Sequence, residues 1–215
     1  MHRFCMISSN NGFLGIPLAQ AVFGNSPVVT YVIIFNILTN IFMFTLGVYL
    51  VAGDKNAINL KKALLSPVVL SFLLGVVFNL IGVPDFLPEA TSYANYLKGI
   101  VTPLSMIILG IKMAGVDFKK LFANKTTYLV SAVKLLAVPV FGVILVWFLT
   151  LIQLFNADMV LAFFVAFAMP TAGTSSILSD EYDGDTEGAV AYILSSTLLS
   201  VATIPILYWL VCMIV

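Results

Sequence analysis

Apolar residues are grouped along the chain in seven long blocks separated by short polar stretches. The blocks are Met1–Phe23, Val28–Ala52, Ala63–Val83, Tyr93–Ala114, Thr126–Ile152, Met159–Leu178 and Gly188–Val215. A helix that crosses a bilayer needs about 20 residues, and every block is long enough. None alternates strictly at every second residue, as a barrel strand would. The pattern therefore predicts an all-α integral membrane protein with seven transmembrane segments.

Two of the seven blocks are interrupted. The sixth reads AFAMPTAGTSSIL over Ala166–Leu178, with Pro170, Thr171, Ala172, Gly173, Thr174, Ser175 and Ser176 in its middle. Proline removes an amide donor and clashes with the carbonyl one turn back. In hydrocarbon the freed backbone groups cost several kcal/mol each unless protein or a water-lined cavity satisfies them. The first block is interrupted by Ser8-Ser9-Asn10-Asn11-Gly12, with Gly15 and Pro17 following. Twelve residues after Asn11 comes Phe23-Gly24-Asn25, and twelve after Pro170 comes Tyr182-Asp183-Gly184-Asp185. This is a weak internal repeat, and paired interruptions in two halves point to a transporter's binding site. A half-helix amino terminus carries about half a positive charge and unpaired amides. Two such ends can hold an anion at mid-membrane. The candidate binding residues are Asn10, Asn11, Gly12, Pro170, Thr171, Gly173 and Thr174, with Gly15 and Pro17 shaping the first interruption.

Composition narrows the class. The 215 residues are 61% hydrophobic and 9% charged, against about 25% charged in soluble domains. Formal net charge is zero, so a nucleic-acid partner is not expected. Cys5 and Cys212 lie in apolar blocks and make no disulfide framework. Lys55, Lys61 and Lys62 fall in one loop and Lys119, Lys120 and Lys125 in another, while loops Pro84–Ser92 and Phe155–Asp158 hold no basic residue. The positive-inside rule puts the lysine loops in the cytoplasm. The chain is then a multi-pass protein of the cell membrane, amino terminus inside and carboxy terminus outside.

Other polar residues lie within the blocks. Asn36, Thr39 and Asn40 share one helix face, where they either line a cavity or join helices by hydrogen bonds. Ser195, Ser196, Thr197 and Ser200 suit close helix packing. Lys134 lies deep in the fifth block, so it is a candidate for coupling or anion contact; the alternative is a side chain that snorkels to the inner headgroups. Enzyme chemistry finds little support. His2 is the only histidine, no metal-ligand cluster or phosphate loop is present, and Asp183 and Asp185 share one acidic turn. No cofactor is expected beyond a proton or sodium gradient.

The run Ser9-Asn10-Asn11-Gly12-Phe13-Leu14-Gly15-Ile16-Pro17-Leu18 resembles the first crossing helix of the auxin efflux carrier family. Met169-Pro170-Thr171-Ala172, the Tyr182–Asp185 turn and Ser195–Ser200 resemble its carboxy-terminal crossing, and the likeness runs over nearly the whole chain. It looks closer to the bacterial members, which include proposed malonate and other organic-acid carriers, than to the plant hormone carriers. The resemblance implies a ten-helix fold of two inverted five-helix repeats, similar to bile acid transporters, with the broken helices crossing at the substrate. By motif position Asn10 would contact the substrate carboxylate, and Pro170 is the proline of the second break. The continuation Gly173-Thr174-Ser175-Ser176 and the acidic pair Asp180-Glu181 depart from that pattern.

Residues 1–52 would then be the last two helices of the first repeat, 53–62 a cytoplasmic linker and 63–215 the second repeat. Nine residues precede Asn10 and rise about 14 Å as helix, under half of a ~30 Å hydrocarbon core. The chain is accordingly expected to be an amino-terminally truncated carrier. The expected activity is secondary transport of small organic anions, such as malonate, malate or other carboxylates, by alternating access. The alternatives are a sodium-coupled bile acid-type symporter and a membrane protein fragment that does not transport. The expected partners are the organic anion and the lipid bilayer, with a second copy of the chain as a further candidate.

Overall fold

The computed structural model of the protein describes residues 1–54, 61, 65, 67–82, 87–114, 125–151 and 156–213. Lys55, Lys62, Lys119 and Lys120, on which the orientation was argued, lie outside the described residues. All regular structure among the described residues is helical. The helices are α1 (His2–Ile7), α2 (Ile16–Phe23), α3 (Pro27–Ala52), α4 (Pro67–Leu80), α5 (Pro88–Ala114), α6 (Lys125–Leu151), α7 (Ala157–Ala168), α8 (Thr174–Glu181) and α9 (Thr186–Cys212). They fall on the seven apolar blocks, and the two interrupted blocks are the two that divide, into α1/α2 and α7/α8. By length and composition α3, α6 and α9 can each cross a membrane.

Local chemistry fixes the helix ends. Ser26 caps α3 by accepting from the Val28 amide, and Pro27 occupies the first turn, where a missing N–H costs nothing. Asn156 Oδ1 caps α7 by accepting from the Met159 amide at 3.0 Å. Asp185 Oδ1 does the same for α9 with Gly188 at 2.8 Å. The acidic stretch after α8 is a turn closed by the Gly184 amide on the Ser179 carbonyl at 2.7 Å.

Among the described residues, three turns are wider than α-helix. Asn11–Gly15 leads into α2, Met43–Gly47 lies within α3, and Val133–Ala137 lies within α6. In the first, the Gly15 amide reaches back five residues to the Asn10 carbonyl at 3.0 Å. Two of the three end two residues before a proline, Pro17 and Pro139. A proline ring displaces the carbonyl four residues back, here Phe13 and Leu135, and widening the preceding turn makes room. Such π-type turns are frequent at functional sites.

The apolar core joins α2, α3, α6, α7 and α9 through Ala19, Val28, Val32, Val146, Phe164 and Leu207, among others. Helix α7 lies between α3 and α6, and α8 packs on α9. Smaller apolar clusters flank the broken ends: Cys5 with Val130 and Tyr192, and Phe4 with Val48 and Leu178. The buried polar side chains include Ser8, Asn11, Ser131, Lys134, Thr171 and Ser175, and residues of both breaks are among them.

Candidate functional site

The two breaks touch. The Asn10 amide donates to the Pro170 carbonyl at 2.9 Å. Next to that bond, the Ser8 and Ser175 hydroxyls pair at 3.0 Å. Thr171 is held twice, its amide donating to Ser196 Oγ at 3.1 Å and its hydroxyl to the Cys5 carbonyl at 2.9 Å. Apart from the serine pair, each bond satisfies a backbone group that a continuous helix would have paired internally. Gly15 lets the chains come this close: a Cβ there would sit 3.2 Å from Met169 Cγ and 3.4 Å from Asn11 Oδ1.

In front of the crossing is a cavity of about 590 Å³. Six residues picked out from the sequence line it: Asn10, Gly12, Asn36, Asn40, Gly173 and Thr174. Ser8, Ser9 and Thr39 add hydroxyls, and Phe4, Phe13, Phe35, Phe42 and Phe167 supply much of the apolar wall. Among the described residues, none of those that line it is charged. Phe35 meets Phe163 and Phe167 edge-on, with centroids 5.4 Å and 5.5 Å apart, so that wall is built from interlocked rings. Asn40 Nδ2 donates to the Asn36 carbonyl at 2.8 Å. Its second proton has Asn36 Oδ1 within 3.5 Å, so the donors left to the cavity are the amide nitrogens of Asn10 and Asn36.

The other residues picked out from the sequence stand behind the wall. Asn11, Pro170 and Thr171 are buried, and with Gly15, Pro17 and Lys134 they do not line the cavity. Asn11 Nδ2 donates to Thr39 Oγ1 at 3.4 Å. The Thr39 hydroxyl gives its own proton to the Phe35 carbonyl at 2.8 Å, which fixes the amide's orientation. Asn11 Oδ1 then has no partner among the described residues. Lys134 does not snorkel: its side chain is 0% exposed, and Nζ donates to Ser9 Oγ and, at 3.4 Å, to the Phe167 carbonyl.

Sequence reasoning gave the α9 hydroxyls a packing role, and Ser131 Oγ pairs with Ser195 Oγ at 2.8 Å in that manner. Ser196 does more, since it supports the second break through Thr171. Nothing in its spacing separates it from Ser195. The phenylalanines of the wall also went unremarked, because in an apolar block they read as ordinary packing.

The sequence pattern of the membrane transport protein family matches residues 55–208. The chain belongs to that family, the family of the auxin efflux carriers. An uncharacterized transporter of Methanothermobacter thermautotrophicus is 32% identical to it over 200 residues, which is 92% of this chain and 63% of that relative. The chain thus spans less than two thirds of the relative's length. Membership of this family, with the apolar helices, makes it a multi-pass membrane protein. In this member of the membrane transport protein family, the crossing of α1/α2 with α7/α8 brings buried polar groups beside a half-open cavity.

Proposed function

We propose that the protein is a secondary transporter that carries organic anions by alternating access around the two crossed breaks. The observation that carries the reading is the 590 Å³ cavity at a crossing bonded from Asn10 to Pro170. Among the described residues, a carboxylate there would find uncharged donors: the side-chain amides of Asn10 and Asn36, and the amino-terminal end of α8 at Thr174. A helix amino terminus favours an anion through its positive dipole end. The residues Asn11, Pro170 and Thr171 would hold this arrangement from behind. Seven spans in the orientation argued from the lysine loops, with residues 63–215 as one repeat, complete the reading.

The walls favour one kind of anion. Pockets of about 300–1,000 Å³ take ligands larger than a short diacid and are mainly apolar, with a few placed polar groups. Among the described residues the phenylalanine-rich wall brings no cation to a second carboxylate. A monocarboxylate with an apolar body therefore fits better than malonate or malate. The test is uptake of labelled acids by the intact gene product in proteoliposomes, with and without a proton or sodium gradient. Saturable uptake, competed more strongly by monocarboxylates with apolar bodies than by malonate, is expected. Stronger competition by malonate would overturn the substrate preference, and no uptake of any organic acid would overturn the transport reading. A strict requirement for sodium would favour a bile acid-type symporter.

A further inference from the structure

Lys134 lies in the wide turn of α6, behind the cavity. Both of its acceptors, Ser9 and Phe167, line the cavity, and Lys134 itself does not. Ser9 precedes Asn10 in the first break. Phe167 lies in the last turn of α7, where the final four carbonyls have no partner within the helix. One side chain from a third helix therefore reaches both broken helices.

Nζ gives hydrogen bonds to two oxygens, one from each break. A bare ammonium in hydrocarbon is expensive. Here the carboxy-terminal end of α7, which carries about half a negative charge, stands against it. Neither acceptor is a carboxylate, so the group is balanced by helix ends and dipoles, and both oxygens belong to the breaks.

We propose that Lys134 is an internal cationic clamp, a positioning residue that joins the two breaks from behind and sets the spacing of Asn10 and Phe167 across the cavity. It acts on the substrate only through these two neighbours. The proposal rests on the transport reading for its effect on substrate, and on the fold alone for its effect on the crossing.

The test compares Lys134→Met and Lys134→Ala with the unaltered protein, using the intact gene product. Lys134→Met keeps the stem and removes the charge. Loss of charge-assisted hydrogen bonds at a buried site should raise the KM for uptake roughly 10- to 100-fold. Lys134→Ala removes the atoms from Cγ to Nζ, the size and charge of n-propylammonium. Adding n-propylammonium should restore part of the uptake and raise the melting temperature of Lys134→Ala, and leave the unaltered protein unchanged. N-methylglucamine, a cation too large for the space, should do neither.

A Lys134→Met protein with unaltered KM and melting temperature would overturn the clamp. So would a Lys134→Ala protein that ignores n-propylammonium in both measurements. If the unaltered protein takes up no organic acid, the transport reading fails, and the melting arm still decides the clamp. If Lys134→Ala does not fold, Lys134→Met decides it.

Discussion

Asn10→Ala is expected to weaken substrate affinity roughly 5- to 150-fold. The Asn10 side chain is 7% exposed and lines the cavity, while its backbone amide is committed to Pro170. Removing the side chain leaves the crossing bond in place and takes one donor from the carboxylate. A buried charged group short of one donor loses about 1–3 kcal/mol, or more, and each ~1.4 kcal/mol is a decade in affinity. Lys98→Ala serves as the control, because Lys98 is exposed on α5 and does not line the cavity. Binding measured by competition of labelled-acid uptake should separate the two, with little change at Lys98. Equal losses at both would remove Asn10 from the site.

Gly142→Ala should damage both stability and binding, although alanine is the better helix former. A Cβ at Gly142 would collide with the Phe167 ring, 2.8 Å from its Cγ. That ring cannot retreat freely. It packs against Phe35 and Phe163, and its own carbonyl is held by Lys134. Overpacking of this kind costs about 1–3 kcal/mol, more than the ~1 kcal/mol gained by replacing glycine in a helix. Gly110 gives the comparison, since a Cβ there meets nothing within 4 Å. Gly110→Ala should melt at or above the unaltered protein, and Gly142→Ala below it with weaker substrate competition. Similar melting of the two variants would show that Phe167 moves without cost.

The helices and their breaks were legible in the sequence because each rests on local chemistry. Block length gave the helix positions, and Pro170 with the small residues after it gave the second break. The Asn36, Thr39 and Asn40 face was legible because 3.6-residue periodicity puts the three together, and Asn36, Thr39 and Asn40 do line the cavity. The division between wall and support was not legible. Asn10 and Asn11 are neighbours of identical type, yet Asn10 faces the cavity and Asn11 turns back onto Thr39. Which side chain faces outward is set by the wide turn at Asn11–Gly15, and hydrophobic pattern does not encode such a turn. A proline four residues after the displaced carbonyl was the available sign at Pro17 and Pro139. Met43–Gly47 has no such proline. Its Gly47 lies against Phe4, a contact between residues far apart in sequence. The burial of Lys134 was hidden for the same reason, since both of its acceptors come from distant parts of the chain.

The central claim is that substrate binds at the crossing, against the amino-terminal end of α8. Substrate protection of a cysteine placed at Thr174 tests it most directly. The background is Cys212→Ser, which leaves only the buried Cys5. Thr174→Cys lines the cavity, and Ile177→Cys, on the exposed side of the same helix, is the reference. Alkylation by a maleimide should slow at Thr174→Cys as a transported acid is added, with half-protection at the concentration that half-saturates uptake, and should stay constant at Ile177→Cys. Unchanged alkylation of Thr174→Cys at saturating substrate, in a protein that still transports, would contradict the account.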